Sequence, residues 1–552
     1  MGYGGDVFAA GPSMAMLSPS SDRPPLWRVM QIGPRSGLGA QGSDADAIAA
    51  EILAIRDWLS EFGGKTASDI YYLLTAQSLE AQKSVPTAAL PKTATLRLTA
   101  DQQDAIEGII DDIAHAGATP VLCGYAGTGK TVTTAALVSR LVDMGRRVVV
   151  ATPTHKARSQ VERALDRCGA YGFEVVTVAR LLGVKQLDDY KTGKRTFKPD
   201  SNGKNMLNRT EEWDEDEKKM VKTRPIDIVI VDETSMLNSE LYYLLLSELR
   251  GRPVVFVGDD RQLLPVGEDQ VCRAFTEGSS LYRLTEVLRH DGAVLNLATA
   301  TRQMPVGRAR FAPAEGGGSR VVAYRGRGQW LNALLEMAAS GEAMSNHDFC
   351  RALAFTNKAV DELNLQIHRR RYGADAPQFV KGMTCVTVDA IPDPMGGGPL
   401  LNSTVDVMIQ EAEQSWHRFT DAGDLITDEP WDTWELTVTG DFYMPRTFRV
   451  IAKEQENRWN ESLKKIADEA RGLTGKEQKS KWKLFFTRQD CVGKLQPATA
   501  LTVHKSQGST FQNVFLHWSI DGPGSAPTAE QNQLSYVGIT RAASGLHVVA
   551  DR

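Results

Sequence analysis

The 552-residue sequence predicts an α/β protein whose parallel sheets are built around a nucleotide-binding loop. Three observations predict it. From about residue 96, short apolar runs alternate with helical stretches. Several runs are rich in Val and Ile with no polar alternation, as in strands buried on both faces. One of them leads into Gly124-Tyr125-Ala126-Gly127-Thr128-Gly129-Lys130-Thr131, which fits GxxxxGK[ST].

Residues 1–42 are rich in Gly, Ser, Pro and Ala without sustained periodicity and read as a disordered leader. Ile48, Ile52, Ile55, Leu59 and Phe62 then fall on one helical face. A second helix is expected around Asp69–Gln82. Residues 43–90 thus form a small helical segment, either a docking module or a pair packed on the main body. Strands are expected at Val121–Tyr125, Arg147–Thr152, Ile226–Val231, Pro253–Val257, Ala352–Phe355, Val514–Leu516 and Leu546–Ala550. Between 381 and 495 the texture changes. Met383–Val388, Val405–Ile409, Trp434–Val438 and Phe448–Ile451 predict a small antiparallel barrel or sandwich. A charged helix near Gln455–Arg471 and a Lys-rich segment to Lys483 follow.

Composition removes several classes. The hydrophobic fraction of 42% suffices for ordinary buried cores. A net charge of -5 argues against a basic coat and leaves room for a local basic groove. The cysteines at 123, 168, 272, 350, 385 and 491 form no CxxC pair and have no zinc-spaced histidine, so reduced thiols are expected. No apolar run approaches the roughly 18 residues of a membrane span. The N-terminus lacks signal-peptide order. The expected location is the cytoplasm of a bacterial or phage-infected cell, with no membrane partner.

The glycine-rich loop has a definite chemistry. Backbone N–H groups from Gly124, Tyr125, Ala126, Gly127, Thr128 and Gly129 can wrap phosphates at a helix N-terminus. Lys130 should reach the β- and γ-phosphates of ATP, and Thr131 should hold Mg²⁺. About 100 residues later, Ile228-Val229-Ile230-Val231 ends in Asp232-Glu233, an apolar strand delivering two carboxylates. Asp232 would complete the magnesium shell, and Glu233 would activate the attacking water. Gln262, in the polar turn after Val254–Val257, is placed to sense a γ-phosphate.

These elements, in this order, resemble superfamily 1 helicases, and most closely the RecD-like, Dda-like branch known as superfamily 1B. The similarity runs from about Leu96 to the C-terminus. Leu98-Thr99-Ala100-Asp101-Gln102 matches the adenine-reading Q motif through Gln102. Ala151-Thr152-Pro153-Thr154-His155-Lys156-Ala157 matches motif Ia, which implies DNA contacts from Pro153, Thr154, His155 and Lys156. Thr177–Gly183 resembles the next DNA motif and implies Arg180; Ala179 stands where the family often has histidine. Leu284–His290 resembles motif IV and implies a catalytic Arg289, with His290 where glutamine is common. Ala354–Lys358 implies DNA-backbone contacts from Thr356 and Asn357. Ala500–Phe511 matches motif V, implying DNA contacts from Thr502, His504, Lys505 and Ser506 and an ATP contact from Gly508. His504 is alternatively a core histidine that orients the motif. Tyr536–Ala542 matches motif VI, whose Arg541 would reach the γ-phosphate.

The resemblance implies two RecA-like P-loop domains: residues 91–268, and residues 269–380 with 496–552. A β-hairpin insertion at about 184–223 would act as a strand-separating pin, with Phe197 at the last base pair. Residues 381–495 would form an SH3-like antiparallel insertion with a helical tower. The hairpin alternatively is a solvated loop whose aromatics pack on that insertion. The implied activity is an ATP- and Mg²⁺-dependent DNA helicase moving 5′ to 3′ on single-stranded DNA and opening a DNA fork. It would act as a monomer in replication, recombination or repair, alongside proteins of those processes. The alternatives are an RNA or RNA–DNA helicase of the same superfamily, or the helicase subunit of a recombination complex.

Overall fold

The apolar runs become the central strands of two six-stranded sheets. The computed structural model describes residues 98–199, 205–209, 211–214, 219–265, 268–286, 292–304, 311–393, 399–421, 424–427, 429–440, 442–521 and 528–550. The expected leader and helical pair, and Arg289, lie outside them.

In the first sheet the strand order is Leu281–Leu284, Val121–Gly124, Val254–Gly258, Ile228–Val231, Val148–Thr152 and Phe173–Thr177. Every neighbouring pair is parallel. Alternate side chains enter opposite cores. Val148, Val150, Ile228 and Ile230 pack with Ile106 and Ile109, with Leu137 and Leu141, and with Leu165, from helices Ala100–Asp112, Lys130–Asp143 and His155–Arg167. Val149, Ala151, Val229 and Val231 pack with Tyr242, Leu245 and Leu249 of helix Ser239–Leu249. Both faces are covered, so the strand sequences show no polar alternation.

Two expectations change here. The first parallel unit does not stop at residue 268, because Leu281–Leu284 pairs with Val121–Gly124. That strand is at the sheet edge and reads Leu-Tyr-Arg-Leu, with no β-branched residue to announce it. Phe173–Thr177, the opposite edge, was likewise not expected as a strand.

The second sheet runs in the order Ala314–Gly316, Ser319–Tyr324, Ala542–Val549, Phe511–Leu516, Cys350–Ala354 and Ala500–Thr502. It is parallel except for Ala314–Gly316. Its strands come from both sides of 381–495, which is therefore inserted. The insertion carries a five-stranded antiparallel sheet, ordered Phe442–Ile451, Trp431–Gly440, Asp406–His417, Thr384–Thr387 and Leu495–Pro497. Its charged stretch forms two helices, Glu456–Gly472 and Gly475–Asp490, joined through buried Ala467, Ala470, Trp482 and Phe486. The first sheet's unit has its own insertion, the antiparallel ribbon Val184–Asp189 with Lys194–Pro199. A second ribbon pairs Glu211–Asp214 with Lys219–Lys222. Among the described residues, no helix is long and apolar enough to cross a membrane.

Candidate nucleotide and nucleic-acid site

The phosphate loop leaves strand Val121–Gly124 and enters helix Lys130–Asp143. Gly127 and Gly129 hold φ of 86° and 80°, which side-chain-bearing residues rarely adopt. The Lys130 ammonium donates to the Gly124 and Tyr125 carbonyls at 2.8 and 2.9 Å. Gln102 braces the loop from outside. Its Nε2 donates to the Thr128 carbonyl at 3.1 Å, and its Oε1 accepts from the Thr99 N–H at 3.0 Å in a helix-capping box. Each end of the amide makes one bond within the protein, which leaves one N–H and one oxygen lone pair of Gln102 for a further contact.

Asp232 is buried at the end of Ile228–Val231 and accepts from the Glu233 N–H at 2.7 Å. Burial pushes its carboxyl pKa up, the Glu233 carboxylate adds to this, and the Lys130 ammonium opposes it. Glu233 sits at φ 54°, ψ 38°, a left-handed conformation that costs a non-glycine residue energy. Gln262 is 7% exposed, and its Oε1 is a buried acceptor with no partner among the described residues. A glycine-lined cradle, a lysine, two crowded carboxylates and an orphan amide oxygen fit a nucleoside triphosphate with Mg²⁺.

Two side chains of the second unit reach this loop. The Tyr536 hydroxyl accepts from the Ala126 N–H at 3.2 Å and donates to Asp259 Oδ2 at 2.5 Å. Arg302, near the end of helix Ala293–Gln303, pairs with Asp259 at 3.2 Å and Asp260 at 2.7 Å. Its guanidinium carbon lies 3.7 Å from the centre of the Tyr125 ring. Burial and the Asp259 carboxylate push the Tyr536 hydroxyl pKa up, so it remains a proton donor. Arg541, in the second unit, is also buried. It donates to the Ser509 and Val537 carbonyls at 3.0 and 3.2 Å.

The expected nucleic-acid residues sort into three groups. Thr154 and Thr356 cap helices His155–Arg167 and Asn357–Tyr372 at strand ends, and Pro153 lies in the first of those turns. Thr356 and Asn357 are exposed. His155 is kept neutral at pH 7 by burial and by Arg158 and exposed Arg180. The His504 ring is 6.3 Å from Phe355, which joins motif V to the Thr-Asn turn. Lys505 is half-buried, with Nζ 3.2 Å from Gln496 Oε1. The second group is committed to the fold. Thr502 Oγ1 accepts from the Lys505 N–H at 3.2 Å, and buried Ser506 donates to the Val503 carbonyl at 2.7 Å. The third group lies elsewhere than expected. Lys156 is nearly buried and pairs with Asp406 of the insertion at 3.5 Å, so its ammonium is not offered to a strand. Gly508, at φ 73°, lies against first-unit Gln160 and Ala157, so close that a Cβ would fall 3.3 Å from Gln160 Oε1. The described contacts of Gly508 are therefore with the motif Ia helix rather than the phosphate loop.

The hairpin Val184–Pro199 pairs Asp189 with Lys194 and Gln186 with Phe197. Its turn glycine, Gly193 at φ 69°, rests on the Trp482 indole, where a Cβ would fall 2.2 Å from a ring carbon. Arg195 pairs with Asp490 at 2.6 Å and Asp188 at 3.0 Å, and lies 5.1 Å above Phe486. Tyr190 packs 6.0 Å from Phe486. The tip aromatic therefore faces the helical pair of the second insertion. Phe197 is placed only by its strand register.

A model of the AAA domain matches residues 97–328, and one of the UvrD-like helicase C-terminal domain matches residues 497–549. The ATP-dependent DNA helicase dda of Enterobacteria phage T4 is 26% identical over 461 residues, 80% of this chain and 97% of that protein. The chain is an ATP-hydrolysing DNA helicase that resembles the RecD-like branch of superfamily 1. The ATP-dependent RecD2 DNA helicase of Deinococcus radiodurans is 29% identical over 202 residues, covering 36% of this helicase and 23% of its own length. A structure of Pif1 helicase from Bacteroides in complex with ADP-AlF3 and ssDNA overlays with a TM-score of 0.40 at 16% identity, covering 82% and 92% of the two chains.

In this helicase, sequence reasoning missed Arg302, Asp259 and Tyr536 as site residues. Asp259 and Tyr536 lay inside strings already read as motifs. Arg302 lies in the last turn of an alanine- and threonine-rich helix with no phosphate-binding signature, so only the tertiary structure reveals it.

Proposed function

We propose that this ATP-hydrolysing DNA helicase translocates on single-stranded DNA in the 5′-to-3′ direction and opens a DNA fork with the ribbon Val184–Pro199. ATP would be held by residues 124–131, with Mg²⁺ on Thr131 and Asp232; the ion supplies neutralisation of developing phosphate charge. Lys130 exchanges its carbonyl partners for phosphate oxygens. Glu233 takes the proton of the attacking water. Gln262 orients that water through its unpartnered oxygen. Arg289 and Arg541 supply cations from the second unit, Arg541 after releasing the Ser509 and Val537 carbonyls. His155, Arg180, Thr356, Asn357, His504 and Lys505 line the strand's track and contact mainly backbone, so binding is weakly sequence-dependent and salt-sensitive.

One observation carries the reading. Tyr536 of the second unit bonds both Ala126 of the phosphate loop and Asp259 of the first unit, while Gly508 of the second unit lies on the motif Ia helix of the first. A change at the phosphates therefore bears on both grips at once, which is the two-state coupling a motor needs. The 5′-to-3′ direction rests on likeness to the RecD-like branch. The test is ATP-dependent unwinding of DNA and RNA duplexes, each with a 5′ or a 3′ tail. Unwinding of the 5′-tailed DNA alone is expected. Preference for a 3′ tail, or for RNA, would overturn the direction or the substrate.

A further inference from the structure

A cavity of about 540 Å³ opens beside the track on the second unit, lined by Arg325, Arg327, His517, Trp518, Phe311 and backbone at Val549–Ala550. That volume falls within the range of small-ligand sites. It lies at the carboxyl ends of three adjacent parallel strands, Ser319–Tyr324, Phe511–Leu516 and Ala542–Val549, where open α/β sheets bind ligands. It also continues the track. The Phe355 N–H, one residue before Thr356, donates to Ser519 Oγ at 3.0 Å, and Ser519 follows Trp518.

The lining chemistry is that of a nucleotide subsite. Among the described residues no carboxylate lines it, and neither arginine is ion-paired with one of them. Arg325 and Arg327 are exposed. The Arg327 guanidinium lies 4.9 Å above the Trp518 ring, and His517 covers Trp518 at 3.8 Å between ring centres. Trp330 packs edge-on behind, at 5.3 Å. With Trp518 beneath it, the exposed Arg327 guanidinium can present its outer face to a base and its edge to a phosphate.

We propose that this pocket holds one further nucleotide of the tracked strand, its phosphate on Arg325 and its base on the Arg327–Trp518 stack. It rests on the reading of the chain as a single-strand translocase. Its contribution is grip on the strand, independent of the ATP chemistry.

The test uses the full chain and fluorescent oligo-dT from 6 to 20 nucleotides, with affinity measured by anisotropy from 50 to 200 mM salt. The variants are the double substitution Arg325→Gln/Arg327→Gln and, separately, Trp518→Phe, which retains an aromatic floor. Thermal melting of each checks the fold. The double variant should melt like wild type, lose about tenfold in affinity on the longest oligomer, and show a salt slope shallower by about 0.7, the value for one phosphate contact on a single strand. Trp518→Phe should lose less. Wild-type affinity and salt slope in the double variant at every length would overturn the pocket and leave the helicase reading standing. Failure of the wild-type protein to bind any oligomer would overturn both.

Discussion

Arg302, a second-unit residue, stacks on Tyr125 of the phosphate loop at 3.7 Å and pairs with the Asp259 and Asp260 carboxylates. Asp259 is 1% exposed, so its charge depends on Arg302 and the Tyr536 hydroxyl for compensation. Arg302→Lys should keep a cation near the carboxylates but lose the planar stack. The expected result is a drop of tenfold or more in DNA-stimulated ATPase turnover, with the melting temperature nearly unchanged. Arg302→Ala should also destabilise, by about 3–5 kcal/mol, because a buried carboxylate loses its partner. Steady-state ATPase assays and thermal melting separate the two. Wild-type turnover in Arg302→Lys would show that the stack is packing alone.

The ribbon tip rests on Trp482 at Gly193, and Arg195 is held by Asp490. A strand-splitting element must stay fixed while the duplex pushes against it. Trp482→Ala and Asp490→Asn should therefore reduce duplex unwinding several-fold while leaving ATPase on single-stranded DNA within about twofold. Phe197→Ala should behave the same way if its side chain meets the last base pair. Parallel loss of ATPase and unwinding would assign the ribbon to the fold; unchanged unwinding in all three would remove it from the mechanism.

His547 is buried in strand Ala542–Val549, stacked on Phe515 at 4.1 Å with Nδ1 3.0 Å from the Tyr324 hydroxyl. Burial, assisted by Arg320, pushes its pKa down to about 4. In the unfolded chain histidine titrates near 6.5. The unfolded state therefore takes the proton first, so this contribution to stability is full above about pH 6.5 and is lost as pH falls toward 4. Each unit in that window should cost roughly 1.4 kcal/mol. Melting curves from pH 7.5 to 5 should fall less steeply in His547→Gln than in wild type. Identical pH slopes would exclude the residue as the source.

Much of this was legible in the sequence because the chemistry is local. A glycine-rich loop between strand and helix, and an apolar strand ending in two carboxylates, carry their function in contiguous residues. Val148–Thr152 and Ile228–Val231 were readable as strands because burial on both faces leaves only apolar positions. Contacts between segments far apart in the chain were not legible. Lys156 sits in a motif string yet turns to Asp406, some 250 residues away in sequence. Tyr190, beside the tip of the expected pin, packs on Phe486 of the second insertion, as in the alternative of aromatics packed on that insertion. Arg302 has no sequence signal because its role depends on which helix end the fold brings to the phosphate loop.

The most direct test of the central claim, that nucleotide hydrolysis drives directional movement on one strand, is streptavidin displacement from oligonucleotides biotinylated at either end. ATP-dependent displacement from the 3′ end is expected, absent in Lys130→Ala and in Glu233→Gln, the latter with nucleotide binding largely kept. Displacement from the 5′ end, or brisk ATP consumption on single-stranded DNA with displacement from neither end, would contradict it.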